Sequence, residues 1–192
     1  MSETISVYPG YAQKVEARGE YIRRLLQFMS EPEVSFGAMT ALLRYGRLFK
    51  HVQSPPEWLP KGPMGQCFAN SARALMPYVC DKIPPYYYAE GYALEPVHGI
   101  YFEHAWLVDA QGHVIDLTWD DSENAVYYGV TFKGKFVLDA MRKTRHFGIL
   151  GNVQLQNRIF KNHAAFRNVI HQPTLRSKSG RVRQAASSLS FN

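Results

Sequence analysis

The chain has 192 residues, 46% of them hydrophobic and 14% aromatic, with a formal net charge of +6. That length suits one domain with a real core, and the aromatic content excludes a disordered chain. The charge is lopsided: Gln172 to Asn192 carries Arg176, Lys178, Arg181 and Arg183 and no acid, so the body is near neutral and lacks the composition of a whole-domain nucleic-acid binder.

The two cysteines, Cys67 and Cys80, are too few for a secreted domain stapled by disulfides. Met1 to Thr4 lacks the basic start and apolar core of a signal peptide, and no apolar run approaches the roughly 20 residues of a membrane span. The expectation is a soluble cytoplasmic protein without a transmembrane segment.

In chain order, Val15, Ile22, Leu25, Leu26 and Met29 recur at helical spacing, so Tyr11 to Met29 reads as an amphipathic helix with Arg23 and Arg24 on its outer face. Glu31-Pro32 breaks it. Ser35 is the expected cap of a second helix running through Met39, Leu42, Leu43 and Phe49. Pro55, Pro56, Pro60 and Pro63, with Gly62 and Gly65, exclude regular structure up to Gln66. A third helix begins near Cys67 and takes in Ala69, Ala72, Leu75 and Met76. Beyond Pro84-Pro85, the aromatic run Tyr86 to Tyr92 reads as a strand. Ile100 to Val108 and His113 to Trp119 read as a hairpin across Asp109-Ala110-Gln111-Gly112, and Val126 to Phe132 as a further short strand. Helical spacing returns at Phe136, Val137, Ala140 and Met141, and a last helix is expected over Ala164 to Ile170. The order of helices, sheet and helices is α+β rather than a βαβ alternation. Residues 1–171 read as a single catalytic domain. Residues 172–192 read as a basic, mobile tail able to touch nucleic acid or an acidic surface.

Three residues carry the chemistry. Cys67 leaves a Gly/Pro loop at the first turn of a helix, where free backbone N–H groups and the helix dipole favour a thiolate, the reactive form. The same N–H groups can hold an oxyanion, and Gln66 can add a side-chain donor. The competing reading of Cys67 is a small buried apolar residue. His104 and Asp116 each sit mid-strand among apolar neighbours, a costly position unless the two are paired. A three-residue loop, Ala110 to Gly112, with Gly112 left-handed, makes Trp106 face Asp116 and His104 face Thr118. His104 and Asp116 are then diagonal neighbours on one face, whereas a two-residue loop puts them on opposite faces. Trp106, Tyr92 and Trp119 are assigned to the walls of a substrate pocket, although both tryptophans also suit the core. Glu90 reads as solvated and Cys80 as structural. The scattered histidines lack zinc spacing, and there is no phosphate-binding loop or dinucleotide fingerprint, so no metal or cofactor is implied.

The order of Gly65-Gln66-Cys67, Glu90-Gly91-Tyr92, His104-Ala105-Trp106 and Val114-Ile115-Asp116-Leu117-Thr118-Trp119 resembles the core of the transglutaminase-like superfamily, with Leu117 where a proline is common. Gly65-Gln66-Cys67-Phe68-Ala69 also resembles the nucleophile region of papain-like proteases. The resemblance covers about Gly65 to Trp119. It implies a papain-like or transglutaminase-like core, with a nucleophile helix packed on a small antiparallel sheet and flanking helices at both ends. It further implies a catalytic triad of Cys67, His104 and Asp116. The expected activity is a cysteine-dependent amide hydrolase or acyltransferase (protease, deamidase or transglutaminase-like) acting on a protein or peptide. The alternative is a non-catalytic binding or inhibitory protein of the same shape.

Overall fold

The computed structural model describes residues 9–33, 35–95 and 97–171. The expectations for the first eight residues and for the basic tail lie outside these. The first helix, α1, spans Pro9–Ser30 and buries Val15, Ile22 and Leu26 along one stripe. Gly19 lies on that stripe where the Leu48 side chain presses against the helix, so a side chain there would collide with it.

The second helix, α2, is shorter than its apolar pattern suggests, covering only Ala38–Tyr45. Its cap is Glu33 rather than Ser35: the carboxylate accepts from the N–H groups of Met39 and Thr40 at 3.0 and 2.9 Å. Gly46 then turns the backbone extended, and Arg47–Phe49 becomes a strand, β1. The helix expected to continue to Phe49 stops because these residues find partners across the sheet, pairing with Tyr127 to Gly129.

Strands β2 (Val52–Gln53), β3 (Tyr86–Leu94), β4 (Tyr101–Asp109), β5 (Val114–Ile115), β6 (Val126–Phe132) and β7 (Ile170–His171) complete a seven-stranded sheet. The order is β1-β6-β3-β4-β5-β2, with β7 also on β6. The small antiparallel sheet of the sequence reading is therefore larger, and it is mixed, since β2 runs parallel to β5. β1 and β2 stand at opposite ends of this order yet are joined by two residues, so the sheet must curl until its edges meet. Val114 N–H donates to the His51 carbonyl at 2.8 Å where the chain passes from β1 into β2, and the Arg47 guanidinium lies close to Gly112.

The curl gives each strand two unlike faces. Tyr88, Tyr92, Leu94, Leu107, Tyr128 and Phe132 point outward into the main core with α1, α2, the third helix α3 (Cys67–Leu75) and α4 (Gly134–Thr144). The inner face carries Ala89, Ala93, Trp106, Val108, Val114, Tyr127 and Phe49. Small residues on β3 and β6 make room for the large ones. Gly91 pairs with Gly129, and the Trp106 ring occupies the space a side chain at Gly129 would need. Two short helices, α5 (Val153–Ile159) and α6 (His163–Val169), close the chain on that outer core through Leu155, Ile159 and Phe166. Among the described residues no helix is long and apolar enough to cross a membrane.

Candidate active site

The β4–β5 hairpin closes as a three-residue loop. Gly112 N–H donates to the Asp109 carbonyl, Gly112 adopts a φ of +90°, and Leu107 pairs with Ile115 and Val108 with Val114. His104 and Asp116 therefore share a face. His104 Nε2 lies 2.7 Å from Asp116 Oδ2, with both side chains essentially sealed from solvent.

Asp116 is the organising group. Besides His104 it accepts the Tyr127 hydroxyl at 2.7 Å on Oδ2, and the N–H groups of Thr118 and Trp119 at 2.7 and 3.2 Å on Oδ1. The last two bonds pull the backbone into an Asx turn, which is why β5 stops at Ile115 instead of running on to Trp119. Where that strand ends, the Pro/Gly loop takes its place, with Gly62 N–H donating to the Leu117 carbonyl at 2.8 Å.

That loop delivers α3. Gln66 is its N-cap residue and makes no side-chain capping bond, so no side chain blocks the free N–H groups of the first turn. Asn70 and Ser71, three and four residues beyond Cys67, lie on the same face of the helix as the cysteine. Asn70 donates to the Pro63 carbonyl at 2.9 Å and to Thr118 Oγ1 at 3.0 Å; Ser71 donates to the Ala105 carbonyl at 3.1 Å. These bonds pin the helix start against β4 and the Asp116 turn. Cys67 thereby comes within hydrogen-bond reach of His104. Asp116 occupies Nε2, which leaves Nδ1 as the ring nitrogen open to a second partner.

Burial alone would lower the His104 pKa. The hydrogen bonds from Asp116 and Cys67, with the charges of both, outweigh it and hold the imidazole at about 9. Burial pushes Asp116 the other way, upward, but its bonds to His104, Tyr127 and Thr118 bring it below the ordinary aspartate value. The pair is an imidazolium–carboxylate ion pair at neutral pH.

The other expected site residues are divided by the curl of the sheet. Trp119 stacks on His104 with centroids 4.2 Å apart and also lines an open groove. Gln66 is exposed beside Cys67. Trp106 is enclosed on the inner face against Phe49 and Tyr127 and lines none of the described grooves; its ring fills the curled sheet instead. Tyr92 faces outward, donates to Glu103 Oε1 at 3.2 Å and borders only a small recess of about 40 Å³.

Two grooves are lined by residues that adjoin Cys67 and His104. One, of about 340 Å³, is bounded by Phe68 and Glu103, the residues directly after Cys67 and before His104, and by the turn from His146 to Gln154. The other, of about 350 Å³, is bounded by Met64, Phe102 and Trp119.

Glu90 is buried rather than solvated. It accepts the Tyr88 hydroxyl at 2.6 Å and the N–H groups of Ile149 and Leu150 at 2.9 and 2.8 Å, tying the turn that walls the first groove to β3. A single acid on the outward, aromatic face of β3 was the available signal. Cys80 is exposed and unpaired. Among the described residues no three His, Cys, Asp or Glu side chains gather as a metal cradle.

No protein-family model, curated protein or solved structure matches the chain.

Proposed function

We propose that the protein is a thiol-dependent amide hydrolase or acyltransferase, built on a papain-like or transglutaminase-like core and acting on a protein or peptide. The carrying observation is the convergence of three side chains from three separate elements: Cys67 at an uncapped helix start, His104 within its reach, and Asp116 2.7 Å from His104 Nε2.

The chemistry follows from those positions. Because His104 already carries its proton at neutral pH, the Cys67 sulfur attacks the carbonyl carbon of an amide as the thiolate, paired with the imidazolium. The developing oxyanion is met by first-turn N–H groups and by Gln66, which is free to swing toward it. The imidazolium then protonates the departing amine as the C–N bond breaks, leaving a thioester on Cys67. Water or a second amine attacks the thioester, gives its proton to His104, and releases the sulfur. Asp116 holds the ring in one orientation and stabilises its positive form throughout.

Iodoacetamide labelling of Cys67 against pH tests the reading, in a Cys80→Ser background to remove the exposed thiol. Labelling that stays fast well below the ordinary thiol pKa of about 8.5, and falls about tenfold or more in His104→Ala, is expected of a thiolate–imidazolium pair. Slow labelling indifferent to His104 sinks it. That second outcome favours a binding or inhibitory protein, a reading to which the low exposure of Cys67, 8%, lends its support.

A further inference from the structure

Beside the cysteine–histidine pair, the groove bounded by Trp119 places an unusual amount of apolar surface in water. Met64 is 64% exposed, Ile100 51% and Phe102 46%, all around one depression of about 350 Å³. Trp119 joins this surface to the reacting centre, because its ring stacks on His104 at 4.2 Å and meets Phe102 edge-on at 6.3 Å. Met64 belongs to the loop that delivers Cys67.

The rim of the same groove is acidic. Glu95, Asp120 and Asp121 line it. Lys61, which bonds to Asp120 at 3.1 Å, answers one of the three charges. Asp121 takes the neutral Asn124 amide, and Glu95 takes the N–H groups of Val97 and His98. The His98 ring also lies on Glu95, 3.2 Å away, and carries charge only when protonated. The backbone N–H of His98 leads the contacts that keep the Glu95 carboxyl below its usual range, so it is charged at neutral pH. An apolar floor with anionic walls matches a long aliphatic stem that ends in a cation.

On the acyl-transfer reading above, we infer that this groove is the subsite for a lysine or arginine side chain of the substrate, placed next to the amide that Cys67 attacks. The methylene stem lies over Phe102 and Trp119, whose faces also attract the cation, and the ammonium or guanidinium reaches Asp121 and Glu95.

Peptidyl acyloxymethyl ketones test this. Three probes are used, identical except for lysine, norleucine or glutamate beside the reactive carbonyl. Norleucine keeps the stem and drops the charge. Covalent capture of Cys67 is followed by intact mass, with iodoacetamide labelling of the same samples in parallel. Lysine is expected to react about five- to tenfold faster than norleucine, with glutamate slowest. That advantage should shrink as salt rises and collapse in the variant Glu95→Gln/Asp121→Asn, with iodoacetamide labelling of the same variant read in parallel. Normal, His104-dependent iodoacetamide labelling with equal lysine and norleucine rates overturns the subsite alone. A lysine preference that survives in the double variant does the same. Iodoacetamide labelling that ignores His104 overturns the acyl-transfer reading and the subsite with it.

Discussion

Asp116 and Glu90 are both buried carboxylates fed by several donors, and they ionise in opposite senses. Asp116 takes His104, the Tyr127 hydroxyl and two backbone N–H groups, and its pKa falls below the ordinary value despite burial. Glu90 takes the Tyr88 hydroxyl and two backbone N–H groups, and burial, only partly offset by them and aided by Glu103, raises it to about 6. Neutral donors soften the loss of water around an anion. A cation in contact reverses it. One carboxylate is thereby committed to charge and to holding the His104 ring, while the other is a structural latch near its titration point.

The strongest way to break this contrast is to remove Asp116. Asp116→Ala leaves His104 buried without its counter-charge and is expected to cost about 3–5 kcal/mol in urea denaturation. Glu90→Ala strands a hydroxyl and two N–H groups, with an expected loss of about 1–3 kcal/mol, while Glu90→Gln keeps an acceptor and loses less. If the two alanine variants cost the same, the distinction between ionic centre and latch fails.

The pH dependence of stability sharpens it. Glu90 has a folded pKa raised from 4.5 to about 6, so its contribution is present below about 4.5 and is lost as pH rises through 6. The loss is on the order of 2 kcal/mol. His104, raised from 6.5 to about 9, contributes stability that is complete below 6.5 and fades as pH climbs through 9. Asp116, lowered from 3.8, contributes stability that is lost in acid. Denaturation curves across pH should show the Glu90 step vanish in Glu90→Gln and the alkaline step vanish in His104→Ala. Persistence of the first step in Glu90→Gln reassigns it to another group.

The smallest expected effect comes from Tyr127→Phe, which removes one of four donors to Asp116 and should cost about 1 kcal/mol. Its alkaline step should stay, because His104 still holds the carboxylate. Loss of that step would mean the hydroxyl, and not the cation, sustains the pair.

What could be read in advance followed local rules. The hairpin register came from Asp109 to Gly112, since loop length and a left-handed glycine decide which residues share a face, and the face shared by His104 and Asp116 followed from it. Elements of nine or more residues with clean periodicity, such as α1, β3 and β4, were legible to within a few residues. Three failures have separate causes, one in long-range pairing, one in a local side-chain bond and one in strands too short to pattern. Arg47–Phe49 looks helical by spacing but is drawn into the sheet by β6. Residues 116–119 look like strand but are turned by a carboxylate bonding its own backbone. The two-residue strands β2 and β7 carry no pattern at all. Helix α5 buries only Leu155 and Ile159 over seven residues, too short a stripe for periodicity to register.

By itself, then, the sequence determined the α+β order of elements, the cysteine at a helix start, and the His104–Asp116 relation, because each depends on neighbours a few residues away. Only the tertiary structure decided that α3 docks its first turn against β4, through Asn70 and Ser71, and so brings Cys67 to His104. It also decided that Trp106 fills the curled sheet while Trp119 faces the groove, and that Glu90 is a buried latch. These outcomes depend on which face of a strand is closed over. In this protein that follows from β1 pairing with β6 and β2 with β5, contacts between residues far apart in the chain, while only Lys50 and His51 join the two edges.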